Sequence, residues 1–231
     1  MTKQTWERIL TLIFPYKCFC CGTVLAGTEY LCASCEKCLP ETTGELCPRC
    51  GKKTADCMCA QLEGGYLRAT APLYYLGGVP HGIHRFKYDG RRYYTGFLAA
   101  LMAKQVEEEY DGIEFDLITY VPMHPKKQRQ RGFCQTQLLA DKLAERLCLP
   151  VTGEILIHTG KGRAQMEQHG IEARVDNARI SYTTRKAASL DGETVLLVDD
   201  VITTCSTAHR CAELLMKKGA GAVYVIAAAT T

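Results

Sequence analysis

Apolar and polar residues follow two periods in the chain after residue 66. Residues 195–198 form a continuous apolar run of strand length, as in parallel sheets covered on both faces. Other predicted strands cover 68–76, 116–121 and 222–228. Helical spacing covers 80–110, with an interruption at 88–90, then 133–147 and 205–218. Strands that alternate with helices predict an α/β fold with a doubly wound, mostly parallel sheet.

The amino-terminal residues have a different pattern. Trp6, Ile9, Leu10 and Ile13 fall on one helical face, which predicts a short amphipathic helix within residues 1–16. The segment lacks the charge layout and cleavage site of a signal peptide. No apolar run in the sequence approaches the roughly 20 residues that a membrane span needs. We therefore expect a cytoplasmic protein with no membrane span.

Cysteine is concentrated near the start of the chain. Ten of the 14 cysteines precede residue 60, whereas the remainder has apolar content suited to a packed core. Paired Cys-x-x-Cys spacings beside a large cysteine-poor region indicate metal binding rather than a disulfide scaffold. Because the composition changes at Tyr66, we predict a small metal module at 17–62 and a main domain at 66–231.

The cysteine pairs have the spacing of zinc knuckles, which can present four thiolates to one tetrahedral ion. The predicted ligands are Cys18, Cys21, Cys32, Cys35, Cys47, Cys50, Cys57 and Cys59. Two structural Zn²⁺ ions are expected, because some 45 residues with few large apolar side chains could not fold without metal. The last pair is one residue shorter than a regular knuckle, and Cys20 or Cys38 could replace a neighbouring ligand.

A candidate sugar-phosphate site follows the apolar run 195–198. Asp199 and Asp200 come at the carboxyl end of the predicted strand, where open α/β sheets bind ligands. Hydroxyl residues then lead into a helix, whose amino-terminal N–H groups suit a phosphate. The predicted phosphate loop contains Val201, Ile202, Thr203, Thr204, Cys205, Ser206 and Thr207. An ATPase is excluded, because Leu46 stands where a phosphate loop ending at 51–54 would need its first glycine.

A basic segment follows the predicted strand 116–121. Its charged residues, four within six positions, are Lys126, Lys127, Arg129 and Arg131. A loop with this charge suits pyrophosphate, although a solvated basic loop has the same composition. His124 either orients this loop or is a turn residue between two prolines.

These segments resemble known protein families. The run 194–208 resembles the phosphoribosyl-pyrophosphate (PRPP) loop of type I phosphoribosyltransferases. The cysteine module resembles the double zinc ribbon of ComF proteins, and 121–133 resembles their pyrophosphate loop. The segment 86–91 resembles their Lys-Tyr-x-Gly sequence, and Lys87 is expected to face the phosphates. The resemblance spans almost the whole chain and implies a type I phosphoribosyltransferase fold behind a zinc ribbon.

The resemblance also implies ligands and partners. PRPP would bind with Mg²⁺, and Asp199 and Asp200 would hold the ribose. A role in natural transformation is implied, with weak to moderate binding of single-stranded DNA and a ComFA-type ATPase as partner. Catalysis is left open, because the sequence has no clear nucleobase pocket. The alternatives are an active phosphoribosyltransferase that uses an unidentified base, and a degenerate fold that serves as a structural adaptor.

The sequence departs from the family pattern at two cysteines. Cys205 stands where the PRPP loop usually has glycine, and Cys134 where the pyrophosphate segment usually has asparagine. Glycine at the first position would provide a positive φ or space beside a phosphate; a reactive thiol and neutral drift are the alternatives. A polar stretch at 159–177, with Gln165, Arg174 and Asn177, corresponds to either the mobile lid of transferases or an ordinary surface loop.

Overall fold

The computed structural model describes residues 15–44, 46–47, 49–57, 65–161 and 180–231. Its strands are β1 (Arg68–Thr70), β2 (Leu73–Tyr74), β3 (Leu117–Tyr120), β4 (Leu156–His158), β5 (Tyr182–Thr184), β6 (Thr194–Ile202) and β7 (Ala222–Thr230). Its helices are α1 (Ala33–Lys37), α2 (Val79–Tyr88), α3 (Tyr94–Glu109), α4 (Pro125–Arg131), α5 (Gln135–Leu147) and α6 (Ser206–Met216). The predicted amphipathic helix and Cys59 lie outside the described residues.

A parallel sheet forms the centre of the molecule. Its strand order is β1-β7-β6-β3, and β2 also pairs with β7 beyond the end of β1. Each of these pairings is parallel, including β3 with β6 and β6 with β7. The predicted α/β fold with a mostly parallel sheet is confirmed, and the carboxyl ends of β3 and β6 share one edge of the sheet.

Alternate residues of β6 bury their side chains in two separate hydrophobic clusters. Leu196 and Val198 pack with residues of α2, α3 and α5 on one face of the sheet. Val195 and Leu197 pack with residues of α6 on the other face. A strand alternates its side chains between faces, so a strand covered by helices on both sides reads as a continuous apolar run.

Two predicted strands have different bounds in the structure. The predicted strand 68–76 is divided into β1 and β2 at Pro72, which has no N–H to donate to a ladder. The Pro72 carbonyl instead accepts a hydrogen bond from the Thr42 N–H of the cysteine module. The strand at 195–198 continues to Ile202, because its pairing with β7 persists past the two aspartates. Val201 and Ile202 are therefore strand residues, and their placement in a loop was wrong.

The basic segment is a helix, α4, and its prediction as a loop was wrong. Pro125 stands at its first position, where the missing N–H costs no hydrogen bond. The His124 side chain caps the helix by accepting from the Lys126 N–H, and Gly132, with φ 76°, ends it. Seven residues of mostly polar side chains give no helical repeat of apolar positions, so the apolar pattern could not predict it.

The cysteine module packs tightly on the main domain. Phe19 is fully buried, with its ring 5.2 Å from that of Tyr94 between centroids. A Cβ atom added at Gly82 of α2 would lie 2.4 Å from the Phe19 ring. On the other side of the module, the Arg49 carbonyl accepts a 2.6 Å hydrogen bond from the Ala69 N–H of β1. The module is therefore continuous with the core of the main domain.

Candidate functional site

The first cysteine cluster has the geometry of a zinc site. The sulfur atoms of Cys18, Cys21, Cys32 and Cys35 lie within 4.8 Å of one another. The Cys21 and Cys32 sulfurs are 3.8 Å apart. A tetrahedral ion with bonds of about 2.3 Å to sulfur places its ligands about 3.8 Å apart, so four thiolates here fit Zn²⁺. Helix α1 follows Cys32 directly and carries Cys35 back toward the other ligands.

The second cluster brings together Cys47, Cys50 and Cys57. The Cys57 sulfur is 3.3 Å from that of Cys47 and 3.8 Å from that of Cys50. The part of the chain that the structure describes supplies three thiols here, and Cys59 remains the predicted fourth ligand. Neither cluster includes the two spare cysteines: the Cys38 thiol donates to the Ser34 carbonyl, and Cys20 is buried.

The candidate sugar-phosphate site lies where β6 leads into α6. Asp199 and Asp200 are the sixth and seventh residues of β6, and Cys205, the third residue after the strand, is the N-cap of α6. The Thr204 and Ser206 hydroxyls are 3.0 Å apart at this turn. The order strand, carboxylates, hydroxyl turn and helix is the predicted one, although the strand persists two residues longer than expected.

An ion pair joins the carboxyl-terminal part of β6 to the end of α2. Lys87 Nζ lies 2.7 Å from Asp200 Oδ2, and both side chains are about one-fifth exposed. The two residues are far apart in sequence, yet their contact places the Lys-Tyr-x-Gly segment beside the aspartates. Lys87 is therefore one of the side chains at the candidate site.

Asp199 is the more buried of the two carboxylates. Burial, and to a smaller extent the neighbouring Asp200 charge, raise its pKa to about 7. The Asp200 N–H opposes this by donating a 2.8 Å hydrogen bond to Asp199 Oδ1. A carboxyl with a pKa near neutrality can accept or donate a proton at physiological pH.

Tyr182 of β5 is a site residue that the sequence did not identify. Its hydroxyl shares a hydrogen bond with the Thr207 side chain, and burial raises its pKa well above the usual value. The nearby charges of Asp199 and Asp200 act in the same direction. Three-residue strands are too short for period-based prediction, and a single tyrosine carries no motif, so no sequence signal could have found it.

His124 and His158 connect the basic helix to this region. His124 Nδ1 accepts from the Lys126 N–H, so Nε2 carries the proton and donates to the Gly160 carbonyl at 3.1 Å. The His158 ring is 4.9 Å from those of both His124 and Tyr182. Burial lowers the pKa of His158 to about 4, and His124 also contributes. The capping role explains His124, whereas His158 was not predicted.

The basic helix contributes only part of its charge to a cavity. A cavity of about 330 Å³ is lined by residues that include Lys87, Tyr88, Gly90, Lys127, Arg131 and Phe133. Lys127 and Arg131 are one helical turn apart and therefore share a face of α4. Lys126 and Arg129 do not line the cavity and are exposed to solvent.

The two unusual cysteines occupy different environments. Cys205 has φ 62°, the left-handed region in which glycine is favoured, so the backbone there has the conformation that the family glycine would allow. Cys134 is buried, and its sulfur is 3.2 Å from the Thr136 hydroxyl, which donates to the Val121 carbonyl. Both thiols are buried, which limits their access to solvent oxidants.

The predicted lid residues Gln165, Arg174 and Asn177 lie outside the described residues.

Sequence comparisons identify two domains and several relatives. Residues 9–64 match the Double zinc ribbon domain, and residues 137–231 match the Phosphoribosyl transferase domain. The DNA utilization protein YhgH of Escherichia coli K12 is 29% identical, over 93% of this chain and 96% of its own length. Competence protein ComFC of Bacillus subtilis is 25% identical, over 86% of this chain and 83% of its own.

The chain thus joins the two domains, and it has homologues over most of its length that are named as DNA utilization and competence proteins. Competence protein F of Haemophilus influenzae is a further relative, 26% identical over 92% of this chain and 96% of its own length. Among solved structures, an adenine phosphoribosyltransferase from Thermoanaerobacter pseudethanolicus is 20% identical, with a TM-score of 0.38, over 58% of this chain and 79% of that one. The double zinc ribbon match and the thiol clusters support structural zinc in this chain. Among the described residues, no helix is long and apolar enough to cross a bilayer.

Zinc analysis tests the thiol clusters. Freshly purified, reduced protein should contain about two zinc ions per chain. Structural zinc contributes on the order of 10–16 kcal/mol to small modules, so Cys21→Ser and Cys50→Ser should give insoluble protein. Cys38→Ser, outside both clusters, should remain soluble with full zinc content. Zinc-free wild-type protein would disprove the assignment.

The buried carboxyl makes stability depend on pH. Folded Asp199 keeps its proton up to about pH 7, whereas the unfolded chain loses it near pH 4, so ionisation destabilises the fold as pH rises between these values. Asp199→Asn should therefore gain stability relative to wild type from pH 4 to pH 8, by at most about 4 kcal/mol. Denaturant unfolding across this range measures the gain. If the stability of Asp199→Asn relative to wild type does not change with pH, and equals that of the exposed control Asp191→Asn, the burial argument is contradicted.

Backbone strain at Cys205 can be measured with two small substitutions. Cys205→Gly and Cys205→Ala both remove the thiol, but only glycine relieves the positive φ. The glycine variant should be more stable than the alanine variant by roughly 1 kcal/mol in denaturant unfolding. Equal stability, or a more stable alanine variant, would mean that the backbone there is not strained.

Proposed function

We propose that this protein is a ComF-type protein that binds PRPP with Mg²⁺ and uses the site in DNA utilisation during natural transformation. The observation that carries the proposal is the joining of Asp200 to Lys87 at the carboxyl end of β6. That contact brings a hydroxyl-rich helix start, two carboxylates and a basic segment to one edge of the sheet. A sugar carrying phosphates at both ends requires these three groups together.

Each part of PRPP has a complementary group at this edge. The 5′-phosphate would bind the turn and helix start at 203–207, through N–H groups and hydroxyls. The ribose hydroxyls would donate to Asp199 and Asp200, and the pyrophosphate would meet Lys87 and the cations of α4. Mg²⁺ would enter with the pyrophosphate and offset its charge. The positive φ at Cys205 would give the turn the backbone shape that glycine provides there in the family loop.

The link to DNA is supported by the relatives and by charge. Relatives that align over most of this chain are named as DNA utilization and competence proteins. Single-stranded DNA would bind weakly to moderately through the basic residues near 85–92 and on α4, with strong salt dependence. A ComFA-type ATPase is the proposed partner, on the basis of the family resemblance.

A second candidate function is catalysis of phosphoribosyl transfer to a nucleobase or related acceptor. The raised pKa of Asp199 favours it, because a group that titrates near pH 7 can exchange a proton with the acceptor. The test is release of pyrophosphate from PRPP and Mg²⁺ in the presence of each common base. Release that requires both one base and Asp199 would establish the enzyme.

PRPP binding depends on the carboxylate at position 200. Asp200→Asn removes an acceptor for the ribose hydroxyls, and charge-assisted hydrogen bonds contribute about 1.5–3 kcal/mol each. Calorimetry with Mg²⁺ should therefore find PRPP bound at least ten-fold more weakly. Asp191→Asn, a matched change on the surface, should leave affinity unaltered. If Asp200→Asn binds PRPP as tightly as wild type, the ligand does not use this carboxylate.

A further inference from the structure

The cavity beside the aspartates combines two basic segments that lie far apart in sequence. Lys87 comes from the end of α2, and Lys127 and Arg131 come from α4. Among the residues that the structure describes, none of those lining the cavity is acidic. Three cations around a cavity of about 330 Å³ form a site for one anionic group of small-molecule size. The charge alone does not distinguish pyrophosphate from a nucleic-acid phosphate.

An aromatic group at this cavity adds a second kind of recognition. Tyr88 is 58% exposed, and the Arg131 guanidinium lies 4.3 Å from the centre of its ring. Phe133 is buried beside them and lines the same cavity. Proteins that bind single strands stack bases on aromatic rings and on arginine planes beside a cationic groove. The Tyr88–Arg131 pair meets both requirements within one site.

PRPP cannot use this pair fully, because it contains no aromatic ring. Its phosphates would interact with the cations and leave the Tyr88 ring without a stacking partner from the ligand. A nucleotide within a single strand would use both the cations and the ring. Tyr88 would therefore contribute to the binding of DNA but not of PRPP, whereas Lys127 and Arg131 would contribute to the binding of both.

We propose that this cavity binds one nucleotide of single-stranded DNA, with its phosphate on Lys127 and Arg131 and its base stacked on the Tyr88–Arg131 pair. Because the same cations would hold the pyrophosphate of PRPP, DNA and PRPP exclude each other. The exclusion rests on the proposed PRPP site, whereas the DNA contact depends on the cavity alone. Lys87 connects the two, since its amino group contacts Asp200 and lines the cavity.

The experiment is a competition between a fluorescent oligothymidylate and PRPP with Mg²⁺, followed by anisotropy at constant ionic strength. PRPP should displace the oligonucleotide completely, with a midpoint that follows the PRPP affinity measured by calorimetry. Tyr88→Ala should weaken DNA about five-fold or more and leave PRPP within two-fold, because stacking on one aromatic ring is lost. Tyr88→Phe should bind DNA as wild type does.

Two controls complete the design. Lys127→Ala should weaken both ligands, whereas Lys104→Ala, an exposed lysine on α3, should weaken neither. Thermal unfolding of Tyr88→Ala should match wild type, because the ring is largely exposed.

The proposal is overturned if Tyr88→Ala binds DNA with wild-type affinity, or if saturating PRPP leaves DNA bound. A different result would affect only the proposed function. If calorimetry detects no PRPP binding but Tyr88→Ala still loses DNA, the PRPP assignment fails and the nucleotide site stands. In that case inorganic pyrophosphate replaces PRPP as the competitor. If it fails to displace DNA, the proposal that DNA and pyrophosphate share this cavity is overturned.

Discussion

The packing of Phe19 into the space left by Gly82 is the contact on which the site depends. Phe19 lies within the first zinc knuckle, and any side chain at position 82 would collide with its ring. The Arg85 guanidinium donates to the Phe19 and Cys20 carbonyls. The knuckle therefore contacts α2 at Arg85 as well as at Gly82. Lys87 follows two residues later and meets Asp200. The first cysteine cluster, α2 and the candidate site are thus joined by successive contacts.

This connection gives the zinc ribbon a role beyond its own folding. A metal module tethered by a flexible linker could unfold without affecting a neighbouring domain. Here the ribbon supplies core side chains on one face of the sheet and backbone hydrogen bonds to β1 near the other. Loss of the metal should therefore loosen α2 and remove the cation that faces the aspartates. Both domain models match parts of this one chain.

Much of the fold and part of the site could be predicted from sequence, for identifiable physical reasons. The strand at 195–198 is covered on both faces, so its apolar run is unbroken, and cysteine spacing reflects ligand geometry directly. Helix α4 was not predicted because it is mostly polar and has no helical repeat of apolar residues. Strands β4 and β5 are too short to show the alternation of apolar and polar residues that predicts a strand. Tyr182 and His158 reach the site only through that small sheet, so their role depends on tertiary contacts that no local pattern encodes. At Cys205 the sequence left two explanations for the family glycine, a positive φ or space beside a phosphate, and the structure has the positive φ.

Hydrogen exchange tests the coupling between the zinc ribbon and α2 most directly. Phe19→Leu shortens the side chain that fills the space at Gly82 while remaining apolar. We expect faster exchange of the amides at 79–88, with little change at 206–216 in α6 on the opposite face of the sheet. Unchanged protection of 79–88 would contradict the claim that the knuckle holds this helix, and with it the positioning of Lys87.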